Sequence, residues 1–340
     1  MKIDLFYPSQ VFIEKEALKY SFTYELVKKF EEKNIPIIEE GIKKFTKEMN
    51  EQQFFAFSKR SIILGVNKTK KFESCKPSAD YQFSLVSGCP GTCEYCYLQT
   101  KHACSPYIKI YVNLNDIFDI IQDYINNGLP KTTTFELAST SDPISVEHIT
   151  GSVKKAIEFF AGQSNGKLRL VTKFSSIDDI LNIEHNGNTK IRFSINSDYV
   201  INNFEHNTSS LSERVTASKK ILEARYNTGF IIAPIIIYEG WKKEYENLLI
   251  KLSEELKDYI SVNITFELIQ YRFTLRSREI ILKRFPKTKL NLNEENLLKK
   301  WGPYGYYKYV YPKETSNEIK KFFAEVIKKY FPNATIEYFT

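Results

Sequence analysis

The chain has 340 residues, long enough for two domains or one large one. With 42% hydrophobic and 26% charged residues and no apolar run near the ~20 residues of a membrane helix, the composition excludes a membrane span and a disordered chain. Five cysteines, three of them within one short stretch, exclude a disulfide framework, and the first residues carry no signal-peptide pattern, so a reducing cytosol is expected.

In chain order, residues 1–77 read as an α/β cap. Leu18–Lys33 and Ile38–Met49 carry apolar residues at helical spacing, and Ser61–Val66 reads as a strand. Lys68-Thr69-Lys70-Lys71-Phe72 is a basic link. From Ser78 the pattern changes to strand–helix alternation. Strands are expected at Phe83–Ser87, Thr133–Ala138, Leu168–Lys173, Ile191–Ile195, Phe230–Pro234 and Ile264–Ile269. Helices are expected at Leu114–Asn127, Val146–Phe160 and Leu211–Arg225. Six strands with helical crossovers imply parallel pairing with right-handed connections, and they are too few for a closed eight-fold barrel. The expected fold is therefore α/β, a partial (β/α)6 TIM-like barrel over 78–271. Functional side chains belong at the C-terminal ends of its strands. Those ends are polar: Glu136 through Asp142, Thr172-Lys173, Ser194-Ile195-Asn196-Ser197, Ala233-Pro234, and Glu267 through Gln270.

Residues 272–340 form a C-terminal hairpin and helix extension. From Tyr271 to Thr340 fifteen Lys/Arg face seven Glu and no Asp, so this segment carries as much positive excess as the whole chain at +7. A one-sided positive field attracts polyanions such as nucleic acid. The run from Trp301 to Tyr311 holds five tyrosines, a tryptophan and Lys308. Its two glycines and proline imply a hairpin whose rings could stack on bases or equally serve as core. The helix Ser316–Tyr330 follows.

The chemistry concentrates in Gly88-Cys89-Pro90-Gly91-Thr92-Cys93-Glu94-Tyr95-Cys96-Tyr97. Three residues separate Cys89 from Cys93, and two separate Cys93 from Cys96. Thiolates are soft ligands suited to zinc or iron–sulfur clusters. A four-iron cluster normally takes four thiolates, so three leave one iron open. The alternative is a structural zinc site built from Cys89, Cys93, Cys96 and Cys104 with His102 nearby, but zinc sites favour two close pairs. A zinc-stabilised nucleic-acid-binding module would follow from that alternative.

The cysteine loop resembles that of radical S-adenosylmethionine (SAM) enzymes, and the whole chain is similar to the spore photoproduct lyase family. The likeness rests on Lys76-Pro77-Ser78-Ala79, Tyr95 through Thr100, Tyr107 through Phe118, Lys154 through Phe159, Val171-Thr172-Lys173, Arg192 through Ser197, Tyr199 through Asn202, Thr265 through Gln270, Lys308 through Tyr311 and Tyr338-Phe339-Thr340. It implies a DNA repair lyase that reverses the methylene-bridged thymine dimer. Its cofactors would be a [4Fe-4S] cluster on Cys89, Cys93 and Cys96 and SAM, the source of a 5′-deoxyadenosyl radical. That radical would take hydrogen from C6 of the lesion, and the bridge would break by β-scission. The likeness also implies that Tyr97, Ser141, Lys173, Ser194 and Ala233 hold SAM or the lesion. Tyr95 and Tyr97 would relay a hydrogen atom, and Tyr304 would wedge at the lesion, with Lys308, Arg272 and Arg276 on DNA. The implied partners are double-stranded DNA and an electron donor of flavodoxin or ferredoxin type. A monomer in the cytoplasm of the spore core, with no membrane, is expected. Another radical SAM enzyme acting on nucleic acid is the competing reading.

Two positions depart from the family pattern. Pro303 stands where an arginine precedes the wedge tyrosine. Ser139 stands where the family has the cysteine that returns a hydrogen atom to the product radical, and an alcohol O–H bond is too strong for that task. Either the chain is an impaired or engineered serine variant or another thiol serves: Cys75 stands where the related lyases carry serine, which suggests that the donor thiol has moved there, the alternative being an inert small residue, and Cys104 is the other thiol outside the loop.

Overall fold

The computed structural model describes residues 5–137, 139–302 and 305–340. Its strands are β1 Gln10–Ile13, β2 Ile37–Ile38, β3 Ser61–Gly65, β4 Glu73–Cys75, β5 Ala79–Gln82, β6 Val86–Ser87, β7 Ile108–Tyr111 and β8 Thr133–Glu136. They continue as β9 Gly166–Thr172, β10 Thr189–Ile195, β11 Asn227–Ile235, β12 Thr265–Gln270, β13 Arg272–Phe273, β14 Leu298–Trp301, β15 Tyr307–Val310 and β16 Thr335–Phe339. The chain divides into two compact units. The first is Met1–Pro90, Cys104–Ile191 and Ala224–Tyr226; the second is Gly91–Ala103, Arg192–Glu223 and Asn227–Thr340.

The first unit holds a five-stranded sheet, order β2-β1-β3-β7-β6. It also holds the run β9-β8-β5-β4, in which β5, β8 and β9 are parallel and β4 is an antiparallel edge. In β9 burial alternates strictly, with Leu168, Leu170 and Thr172 inward, as a period-two strand requires. The helix Leu114–Gly128 buries Leu114, Ile117, Ile121 and Ile125, one apolar stripe at helical spacing.

The second unit holds β11, β12 and β16 in parallel. Residues Thr228 through Ile232 are buried without alternation, the mark of a parallel strand covered on both faces. Here Arg192 meets Glu267 through two bonds of 2.8 and 2.9 Å, both side chains almost wholly buried. The Tyr338 hydroxyl donates to the same carboxylate, so the chain's last strand closes this pair. The chain passes from the first unit to the second within β10. A separate antiparallel sheet, β13-β15-β14, is the expected hairpin plus one strand.

Several boundaries differ from expectation for local reasons. The stretch 38–49 is helical only over Lys43–Thr46, because Ile37–Ile38 pairs in parallel with β1. The helix expected from Leu18 begins properly at Ser21 and ends at Glu31. Val146–Phe160 is broken at Gly151, whose φ of +60° ends one turn before Ser152–Ala161 begins. The Glu147 carboxylate accepts from Val153 N and Lys154 N at 2.8 Å and caps the second piece. The strand expected at Phe83–Ser87 is divided: β5 precedes it, and Val86–Ser87 turns away to pair with β7.

Candidate active site

The cysteine loop is entered through Gly88, held at φ +80°. A Cβ there would lie 2.4 Å from the Tyr107 carbonyl oxygen, so only glycine fits. Gly88 N donates to Thr140 O at 3.1 Å, and Gly88 forms a parallel bridge with Ser141. The loop entry is thereby stitched to the segment following β8, the stretch rich in serine. The half-buried Cys89 offers its carbonyl to Lys59 Nζ at 2.6 Å.

In the second unit the rest of the loop is pinned by its backbone. Thr92 N donates to His206 O and Glu94 N to Phe204 O, both at 2.9 Å. Cys96 N reaches Cys93 O at 3.2 Å, and Gln99 Nε2 donates to the same carbonyl at 3.1 Å. Arg284 then braces Gln99, donating to its Oε1 at 2.7 Å and to Ala103 O at 2.8 Å. Arg284 is 6% exposed, so it supports this loop and is not available to DNA, against its membership of the basic run. The Tyr95 hydroxyl donates to Glu205, whose other oxygen takes Arg214 Nη2 at 2.6 Å. Burial, then the Glu205 charge, push the Tyr95 phenol well above its ordinary pKa. Tyr97 is 57% exposed.

No cysteine is in a disulfide: Cys93 is buried, Cys75, Cys89 and Cys96 are half-buried, and Cys104 is exposed. Among the described residues no three His, Cys, Asp or Glu side chains converge on an ion-sized position. Three thiolates repel one another unless an ion holds them, and such sites form as the metal binds. The donor set fits an iron–sulfur cluster in kind: soft thiols on an anchored loop, close in sequence.

At the strand ends of the first unit, Asp142 accepts from Thr172 Oγ1 at 2.8 Å and from Lys173 N at 2.7 Å. It thus fixes the exit of β9, where Lys173 stands. Ser139 Oγ and Ser141 Oγ are buried and have no hydrogen-bond partner among the described residues. A buried hydroxyl in this state has hydrogen-bonding capacity left for a water or a polar ligand. Cys75 lies on the edge strand β4, its backbone opposite Ala79 at the start of β5. Ser139, by contrast, lies beyond the far end of β8. The turn after Cys75 nevertheless reaches along β8, because Ser78 Oγ donates to Glu136 Oε2 at 2.8 Å. Ala138 is outside the described residues.

In the second unit, Ser194 is 5% exposed and its carbonyl accepts from Arg214 Nη1 at 2.9 Å. One arginine therefore holds both the Tyr95–Glu205 contact and the Ser194 backbone. Ala233 is half-buried, and the next carbonyl, Pro234 O, accepts from Asn196 Nδ2 at 2.8 Å. Tyr245 OH in turn donates to Asn196 Oδ1 at 2.8 Å. These polar bridges tie the ends of β10 and β11 to each other.

In the hairpin sheet Trp301, Tyr306 and Tyr307 are exposed, at 58%, 49% and 50%. Lys299 lies 4.6 Å from the Tyr307 ring centroid. Lys308 pairs with Lys300 across the strands. Burial, then Arg272 and Lys300, lower the Lys308 pKa. Arg272 and Arg276 are exposed. Of the aromatic run, Tyr309 stacks on Phe273 at 5.3 Å and Tyr311 OH accepts from Ile237 N at 3.0 Å, so these two are core. Arg278 is paired with Glu294 at 2.8 Å. Pro303 and Tyr304 lie outside the described residues. The supports Lys59, Glu205, Arg214 and Arg284 were missed in sequence; each acts on a residue distant in the chain, and no local motif marks it.

A family model described as "Spore photoproduct lyase" matches residues 6–340. The chain is 45% identical over 338 residues to the spore photoproduct lyase of Bacillus subtilis (strain 168), covering 98% of this chain and 99% of the relative. It is 44% identical over 342 residues to that of Geobacillus sp. (strain Y412MC61), covering 98% and 99%. Among solved structures it is similar, at TM-score 0.94 and 44% identity over 98% of this chain and 99% of that one, to a double mutant of spore photoproduct lyase with bound AdoMet and dinucleoside spore photoproduct. In that mutant one cysteine is replaced by alanine and one serine by cysteine. Another, with the same TM-score, identity and coverage, is spore photoproduct lyase complexed with dinucleoside spore photoproduct.

Proposed function

The chain belongs to the spore photoproduct lyase family, and from that membership we propose that it reverses the methylene-bridged thymine dimer in DNA to two thymines. Its fold is the partial (β/α)6 TIM-like barrel of the radical SAM type. The observation that carries the reading is the full-length family match coinciding with the anchored Cys89, Cys93 and Cys96 loop. The test is conversion of a dinucleoside spore photoproduct to thymidine by the reconstituted chain.

Cys89, Cys93 and Cys96 would hold the [4Fe-4S] cluster. The cluster and SAM, when bound, supply a 5′-deoxyadenosyl radical. The protein's own task is placement and exclusion. Ser141, Lys173, Ser194, Ala233 and Tyr97 would hold SAM and the lesion. Two facts support this: the Ser141 hydroxyl is buried with no hydrogen-bond partner among the described residues, and Asp142 accepts from Lys173 N. Tyr95 and Tyr97 would pass a hydrogen atom. Cys75 would return a hydrogen atom to the product, since Ser139 cannot, and the thiyl radical left on Cys75 would be quenched by a hydrogen atom relayed through Tyr95 and Tyr97 as SAM is regenerated.

Segment 1–77 acts as the cap, 78–271 as the catalytic barrel and 272–340 as the DNA-contacting part. Double-stranded DNA would lie on Arg272, Arg276 and Lys308, with Tyr304 as the wedge. The reductant would be of flavodoxin or ferredoxin type, and the enzyme a monomer in the cytoplasm of the spore core. Among the described residues no helix is long and apolar enough to cross a membrane.

DNA affinity should fall as salt rises. Each phosphate contact adds about −0.9 to the slope of log affinity against log salt on B-DNA. Changing Arg272, Arg276 and Lys308 together to glutamine should flatten that slope by about 3 units, on lesion-bearing and undamaged duplex alike. An unchanged slope in fluorescence-anisotropy titrations would place the DNA on another face.

A further inference from the structure

We propose that Lys59 is a positioning residue whose charge raises the reduction potential of the cluster. The inference rests on Cys89 being a cluster ligand. Lys59 is the last residue of the helix Glu51–Lys59. That helix starts with a reciprocal cap: Asn50 Oδ1 accepts from Gln53 N at 3.0 Å, and Gln53 Oε1 accepts from Asn50 N at 3.1 Å. Its end is fixed as firmly. Ser61 Oγ donates to Phe57 O at 2.8 Å, and Ser61 opens β3, in the middle of the five-stranded sheet.

The Lys59 stem runs beside Phe55, with Nζ 5.5 Å from the ring centroid. The ammonium then donates to Cys89 O at 2.6 Å. A long, flexible cation is thereby carried from another element to the peptide of the first cysteine. Charged hydrogen bonds of this length are strong. A surface lysine would place its head in water; this one is half-buried and aimed at the loop.

The physical consequence is electrostatic. Reduction adds one negative charge to the cluster. A fixed cation next to a ligand's backbone favours the more negative state, and hydrogen bonding and charge around a cluster are among the levers on its potential. In a partly buried site this attraction is screened less than at the surface. Lys59 thus makes the one-electron reduction easier without touching iron.

The test is a redox titration of the reconstituted full-length chain, monitored by electron paramagnetic resonance, with iron content measured in parallel. Lys59→Met should load iron as the parent does but shift the reduction equilibrium at least tenfold toward the oxidised state, a potential lower by ~59 mV for one electron. Lys59→Arg, which keeps the charge, should retain the parent potential. Lys59→Gln, which keeps a donor without charge, should shift as Met does; it also serves if the Met variant fails to fold. An iron-loaded Met or Gln variant at the parent potential overturns the proposal alone. A parent chain that takes up no iron overturns the cluster reading, and this proposal with it.

Discussion

Replacing Cys89, Cys93 or Cys96 singly with alanine is expected to abolish iron loading and SAM cleavage, each to background. Three thiolates are the fewest that hold four irons while leaving one open to a substrate, so no member of the set is dispensable. Cys89, Cys93 and Cys96 are the thiols of the loop. Cys104 is exposed. His206 Nε2 is engaged with Glu94 Oε1 at 2.9 Å. Cys104→Ala should therefore load iron and cleave SAM as the parent does. The measurement is iron and sulfide content after anaerobic reconstitution, with 5′-deoxyadenosine release by chromatography. If Cys104→Ala lost the metal while the loop variants merely weakened it, a four-ligand zinc-like site would be indicated instead.

Cys75→Ala is expected to leave SAM cleavage and lesion consumption intact while spoiling the product. The thymine methylene radical would find no thiol and would be released as a trapped adduct in place of two clean thymines. Ser139→Cys in the Cys75→Ala background should restore clean repair, because it puts a thiol back where the family carries one. The structure frames how demanding the relocation is. By backbone register Cys75 stands level with the start of β8 and Ser139 beyond its end, while Ser78 Oγ, in the turn after Cys75, donates to Glu136 Oε2 at 2.8 Å. Clean repair by Cys75→Ala alone would remove Cys75 as donor and leave Cys104 or solvent.

What was legible in the sequence was local. The cysteine spacing, the polar strand ends and the helical stripe of Leu114, Ile117, Ile121 and Ile125 each need only a short window. So does the pairing of β14 with β15, where two glycines and a proline lie between two short strand-like runs. What was not legible depends on partners far along the chain. Arg284 looked like one more cation in a basic run, yet it contacts Gln99, 185 residues away. The run from Trp301 to Tyr311 left stacking and core equally open, and it is the distant partners that place Tyr309 on Phe273 and the Tyr311 hydroxyl on a backbone N–H. Ile38 opened an apolar period that reads as helix, but with Ile37 it pairs with β1. The strand Thr335–Phe339 is short and partly exposed, so its pattern is weak; its place is set by β12 and the Tyr338–Glu267 bond.

The central claim is the reaction itself, and one measurement bears on it most directly. The full-length chain, reconstituted anaerobically with iron and sulfide, is given SAM, a strong one-electron reductant and a dinucleoside spore photoproduct, and the products are separated by chromatography. The lesion should disappear with formation of two free thymidines, and 5′-deoxyadenosine and methionine should form only when all three loop cysteines are present. SAM cleavage at the same rate with and without the lesion, and a lesion recovered unchanged, would contradict it and assign the radical chemistry to another nucleic-acid substrate.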